Sequence, residues 1–244
     1  MQVLASKYWK DQATNLLYMA QLLSRKIPAI CLDVGPMQSA GNRCLANIKK
    51  GRYSYYMDRL SFKVSSSGHI PSDAPSNVEI FLSVRASSLR EVKVYDPFSL
   101  LEFNIEIEAH GNVTKHLGAW HLDRHITSDE ETDALDVHPL YHFHFGGNAI
   151  KQIQNDVGRI LVLEGPRIAH PPMDVLLGID FILSHFAGGA WRHLKEDTTY
   201  KSYLKPSQDF LFKNYISSLH SHFGTTATRT AGMATALWPN LLEY

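Results

Sequence analysis

LEFNIEIEAHGNVTKHLGAWHLDRHITSDEETDALDVHPLYHFHFGGN, residues 101 to 148, is the stretch whose periodicity decides the fold. From Leu101 to Ala109 the residue types alternate. Leu101, Phe103, Ile105, Ile107 and Ala109 fall on one side, and Glu102, Asn104, Glu106 and Glu108 on the other. A period of two sends successive side chains to opposite faces, so this is a half-buried antiparallel strand. Gly111-Asn112 then supplies a two-residue loop of the type II′ hairpin kind. Pairing His110 with Val113 sets Glu108 against Lys115 and Glu102 against His121, and the opposite-charge neighbours favour that register.

Seven of the thirteen histidines lie in this stretch. In the expected register His121, Asp123 and His125 share the polar face with Glu102, while Trp120 and Leu122 turn to the core. The next strand divides the same way, with Tyr141, Phe143 and Phe145 inward and His142 and His144 outward. If the two strands are neighbours, one sheet face gathers His121, Asp123, His125, His142, His144 and Glu102. Two histidines two apart on a strand project to one side. A nearby carboxylate completes a set suited to iron(II), or to zinc with an open position for water. The plainer alternative is a solvated polar face opposite an aromatic core.

His121-Leu122-Asp123 resembles the HxD element of the iron(II)/2-oxoglutarate oxygenases, with His170 at a distance open to a distal histidine. That likeness implies a double-stranded β-helix. The chain departs from it in the helices expected after His170 and in lacking an arginine at the usual short interval. His142-Phe143-His144 lacks the glutamate a cupin would place after it. The order helix, meander, proline-rich crossing, helices is similar to the ubiquitin-conjugating and RWD-type architecture, with His170-Pro171-Pro172 beside that family's HPN motif. No cysteine follows Cys44, so this resemblance implies a noncatalytic relative.

Composition sets the outer bounds. At 244 residues the chain is long enough for one large domain with a full core, the organisation expected here. Formal net charge is zero, which argues against a polyanion binder, but residues 1 to 63 carry ten Lys and Arg against three Asp. The remainder carries fourteen basic against twenty-one acidic residues, so the basic beginning suits docking on the rest or on an acidic partner. Cys31 and Cys44 give neither a disulfide framework nor a thiolate metal site. Lys7, Lys10 and Asp11 precede any long apolar run, which is wrong for a signal peptide, so a cytoplasmic location is expected.

Along the chain, Val3, Leu4, Tyr8, Trp9, Leu16, Met19, Ala20 and Leu23 trace a helical stripe that Pro28 ends. Asp33 to Asn42 is rich in turn formers. Cys44, Leu45, Ile48, Tyr56 and Leu60 predict one or two further helical segments around Gly51. Between Arg52 and Lys63, basic and aromatic residues interleave in a pattern able to bind phosphates and stack on bases. No nucleic-acid motif accompanies it, so a helix with a tyrosine-rich core face is the simpler expectation. Ser65 to Ser76 is a loop, after which Val78, Ile80, Leu82 and Val84 alternate and a short strand covers Val92 to Tyr95.

The acidic run Ile126 to Val137 lacks the spacing of a calcium-binding loop. Asn148 is placed to cap a short helix, and Ile160 to Leu163 has the composition of a buried strand. Met173 to Phe186 is apolar almost all round, with proline preset for its first turn and Gly188-Gly189 ending it. Asp174 and Asp180 make it a core helix, not a membrane span. Asp180 needs a partner, Arg124 or Arg167, unless it faces water. An amphipathic helix near Gln208 to His222 follows, then a tail whose Leu237-Trp238 and Leu241-Leu242 dock on the body or on a second subunit.

The expected architecture is a single α+β domain. Residues 1 to 63 form a basic helical region, 76 to 164 an antiparallel meander of about five or six strands, and 171 to 222 helices packed on one face; 223 to 244 are the tail. No GxSxG, HExxH, phosphate-loop or dinucleotide motif is present. The function expected is a binding or assembly protein acting on an unidentified protein partner or by self-association. It would work through the histidine face, the basic region or the tail. The alternatives are a metal-dependent enzyme, an iron oxygenase or zinc hydrolase on the histidine cluster, and nucleic-acid binding through residues 52 to 63.

Overall fold

A computed structural model describes residues 2–65, 77–110, 115–125, 138–146, 167–223 and 233–241. Within them the chain runs helices, antiparallel sheet, helices, an α+β architecture. Strand β1 (Gln2–Leu4) precedes helix α1 (Ser6–Lys26), so Val3 and Leu4 belong to a strand and not to the helical stripe. Helix α2 (Gly35–Lys49) covers the expected helical positions Cys44, Leu45 and Ile48 and begins inside the stretch expected as turn. Pro36 sits in its first turn, where a missing N–H is harmless, and Asp33 accepts the Gly35 amide at 2.7 Å.

The largest correction concerns residues 52 to 63. They are not a helix; they form most of β2 (Tyr53–Ser65), so the sheet begins well before residue 76. Its alternation is masked by a bulge. Tyr55 and Met57 are buried before it and Leu60, Phe62 and Val64 after it, because Asp58 and Arg59 together oppose Ser83. That change from odd to even mimics helical spacing in the sequence. Arg59 takes a φ of 42°, and its amide donates to Ser83 Oγ at 3.0 Å. Its guanidinium pairs with Glu106 and Glu108 and lies 3.8 Å above the ring of Phe81.

The main sheet has the order β2, β3 (Asn77–Ser88), β5 (Leu100–His110), β6 (Lys115–Arg124), β7 (Tyr141–Phe145), β8 (Ile168–Ala169), every neighbour antiparallel. The short strand near Val92 is β4 (Glu91–Lys93), which pairs with β1 in a separate two-stranded sheet. The free side of β2 is partly occupied: Asn47 donates to the Ser54 carbonyl at 3.0 Å, and the Lys63 amide donates to Ile30 at 2.8 Å. Such cover blunts an otherwise adhesive edge.

The β5–β6 hairpin differs from its expected register. His110 pairs with Lys115 and Glu102 with Asp123, and not Glu108 with Lys115 or Glu102 with His121. This register sets Leu122 against the buried Phe103 and Trp120 against Ile105. Apolar cross-strand fit outweighs one exposed ion pair. The slip is by two, so every side chain keeps its face. The Gly111-Asn112 turn, most of the Ser65 to Ser76 loop, the acidic run, the Asn148 cap, the Ile160 to Leu163 strand and residues 224–232 and 242–244 of the tail, Leu242 among them, lie outside the described residues.

Helix α3 (Val175–Phe186) crosses the apolar sheet face, with Val175 to Ile179, Ile182 and Leu183 buried. It begins at Asp174, whose Oδ1 accepts the Leu177 amide at 2.9 Å, and not at a proline. Gly188-Gly189 does not end it; Ala187 does, and the glycines open α4 (Gly188–Glu196). Asp180 accepts from the Trp191 indole at 2.8 Å and the Tyr200 hydroxyl at 2.9 Å. Arg124, one of its expected partners, is held instead by both oxygens of Asp96 at 2.8 Å.

The last helix also starts earlier than expected, as α5 (Thr198–Ser207), a π-helical turn (Gln208–Phe212) and α6 (Lys213–His220). Pro206, which has no N–H to give, sits just before the widened turn. In the tail, α7 (Met233–Leu237) docks on the body: Ala234 and Leu237 are buried, and Ala236 accepts the Leu140 amide at 2.9 Å. No helix among the described residues is long and apolar enough to cross a membrane.

A Cβ at Gly178 would come within 2.5 Å of the Phe103 ring and 3.2 Å of Leu82. Gly178→Ala therefore costs about 1–3 kcal/mol despite the better helix propensity of alanine, read as a lower denaturant midpoint at unchanged slope.

Candidate functional site

Pairing of β5, β6 and β7 lays the polar side chains out in two rows. Glu102, Asp123 and His142 are cross-strand partners in one row; Asn104, His121 and His144 are partners in the next. Neighbouring strands sit about 4.8 Å apart, within reach of one imidazole and one carboxylate. His121 Nε2 lies 3.1 Å from His144 Nδ1 and 3.4 Å from Asp123 Oδ2. Glu102 stands beside Asp123 and faces Arg85 at 3.8 Å.

His125, one residue beyond β6, is not in these rows. Its ring stacks on His138 at 4.8 Å between centroids, and His138 approaches His142 at 6.1 Å. The face thus holds two groups, His121 with His144 and Asp123, and His125 with His138 and His142. The sequence does not point to His138, because Pro139 separates it from the alternating run. The Tyr-His-Phe-His pattern gave no reason to extend the strand backward.

Shelter is uneven along the face. His142 and Ala119 are buried, the His121 side chain is 17% exposed, and Asp123 is 37% exposed. Burial pushes the His121 ring down to about 4; His144 and Arg167 act in the same direction, and a hydrogen bond to the Gly146 backbone opposes them. Burial likewise takes His142 down to about 4, against the hydrogen bond between its Nδ1 and the Pro139 carbonyl at 3.2 Å. Asp123 moves the other way, up to about 6, through burial and then the charge of Glu102. At neutral pH His121 and His142 are uncharged imidazoles. A carbonyl only accepts, so the His142 Nδ1 carries the proton and its Nε2 the lone pair. His144 Nε2 is buried and has no hydrogen-bond partner among the described residues.

As they stand, no three His, Cys, Asp or Glu side chains among the described residues are grouped to hold a metal ion. The oxygenase likeness stops at His121 and Asp123. His170 follows β8 on the core side, its ring 5.5 Å from that of Phe143, and the described strands form a six-stranded antiparallel sheet. The two cysteines are buried and free, and burial pushes both thiols up to about 12, which makes them poor nucleophiles. On β2 the basic and aromatic residues alternate between faces. Tyr55 is buried and Arg59 is engaged by two glutamates, so the Arg52 to Lys63 pattern does not form one continuous surface. Comparisons with protein-family models, curated proteins and solved structures find no match for the chain.

A histidine whose folded pKa is lowered binds its proton more readily when unfolded, so stability falls as pH drops from the unfolded value toward the folded one. For His142 that window runs from about 6.5 down to about 4. His142→Gln should remove part of the acid-induced loss there, seen as a smaller drop in denaturation midpoint than wild type shows. An identical drop in both proteins would contradict the assignment.

Proposed function

We propose that the chain is a binding protein whose contact surface is the histidine end of the polar sheet face, where it meets a small ligand, a protein partner or a second copy of itself. The observation that carries this is the buried Nε2 of His144, without a hydrogen-bond partner among the described residues, beside the His121–Asp123 contact. Buried polar atoms are nearly always paired, so one left unpaired among the described residues supports a contact made there. Part of the tail packs on the body through Leu237, and Asn47 of α2 reaches the β2 edge. Two free, buried thiols fit a reducing compartment such as the cytoplasm.

Native mass spectrometry of untagged chain, purified without chelator or nickel resin, tests this. Wild type should carry added mass, a ligand or a second protein chain, that His121→Gln/His144→Gln loses while keeping its fold by circular dichroism. Equal masses for the two proteins would overturn the reading.

A further inference from the structure

We infer that one end of the molecule, where the turn between α2 and β2 meets the link from β3 to β4, docks on an anionic lipid surface. Three exposed cations, Lys49, Lys50 and Arg52, surround Gly51 in that turn. Gly51 takes a φ of 71°, and its amide donates to Ile48 and that of Arg52 to Asn47, both at 2.9 Å. The left-handed glycine lets the chain reverse this tightly and holds the three cations together. Tyr53 pairs with Ser88, so one step outward the register sets Arg52 beside Leu89. Leu89 and Arg90 are the whole link from β3 to β4; Leu89 is 68% exposed, and Arg90 is exposed with it.

Packing from behind makes this end a firm surface. The Arg90 carbonyl accepts the Ala5 amide at 3.1 Å and Ser88 Oγ accepts the Trp9 indole at 2.6 Å, so the start of α1 backs the link. The Cys44 thiol meets the Trp9 carbonyl, and Gly41 lies against Leu17 further along α1. The two helices therefore run antiparallel, and the last turn of α2 comes to the same end. Lys49, Lys50, Arg52 and Arg90 have no ion pair among the described residues. Glu91 offsets a single charge, and Lys93 adds one back. Lys49 and Lys50 also suit the negative end of the α2 dipole, but Arg52, Arg90 and the exposed Leu89 have no such local reason. Headgroup charge draws each Lys or Arg near the surface with a gain of about five-fold in partition, and a leucine among them enters the acyl boundary. A nucleic acid or an acidic peptide would engage the cations and leave Leu89 in water; a bilayer takes both. The docking is peripheral and needs no spanning helix.

The test is co-sedimentation of the full chain with vesicles of phosphatidylcholine alone or with about 30 mol% phosphatidylserine, at about 0.1 M salt, where surface charge reaches about 10 Å. Phosphatidylserine should raise the partition coefficient by about 100-fold, and about 0.5 M salt should remove most of that gain. Arg52→Gln/Arg90→Gln should lower it by about 25-fold, and Leu89→Ser by about three-fold or more. Unfolding midpoints should stay close to wild type, because all three positions are exposed. Arg25→Gln, in the last turn of α1 at its other end, should leave partition unchanged. Equal sedimentation with both kinds of vesicle, or all variants sedimenting like wild type, would overturn the assignment. So would binding of poly-glutamate that the arginine variant loses, in a chain that no vesicle holds, since the surface then serves an acidic protein.

Discussion

A buried carboxylate at the start of one helix holds the N-terminal helix, the C-terminal helices and the sheet together. Asp174 is fully buried, and burial raises its carboxyl above the usual range. It accepts the Leu177 amide and the Tyr8 hydroxyl, both at 2.9 Å, while the next amide, Val175, donates to the Tyr55 hydroxyl at 3.2 Å. Helix α1, strand β2 and helix α3 therefore meet at one polar point inside an apolar core. Ser207 of α5 reaches the same place and donates to Gln12 of α1 at 3.2 Å. A buried charge without such partners would be costly, so packing elsewhere in the core is compatible only with arrangements that keep them together.

With α3 fixed at its first turn, Gly178 lets it settle on Phe103 and Leu82, and the apolar face of β3 and β5 is closed. That closure specifies the register of the whole sheet, because a slip of one residue would turn the buried face to water. The outward face inherits the order. Glu102, Asp123 and His142 align across three strands only because Phe103, Leu122 and Phe143 align beneath them. The chemistry available on the histidine face thus follows from the apolar fit on the other side.

Period-two alternation made β3, β5, β6 and β7 legible, and with them the faces of His121, Asp123, His142 and His144. Strand β2 was hidden by its bulge, because Asp58 and Arg59 shift the buried positions from odd to even and no local composition marks such a shift. The N-terminus of α2 was hidden by residues that serve turns and helix starts alike, Asp33, Gly35 and Pro36. Partners distant in sequence were not legible either. Nothing near Asp180 points to Trp191 and Tyr200, and nothing near Asp174 points to Tyr8. His138 entered the site only when the chain brought it onto His125.

A double-mutant cycle on Tyr8→Phe and Asp174→Asn, read by denaturant unfolding at neutral pH, tests the role given to Asp174 most directly. Each substitution keeps the shape of its side chain. If the contact ties α1 to α3 as described, the two losses fall short of additivity by about 1 kcal/mol or more. Losses that simply add would contradict it and move the organising role to the apolar contacts around Gly178.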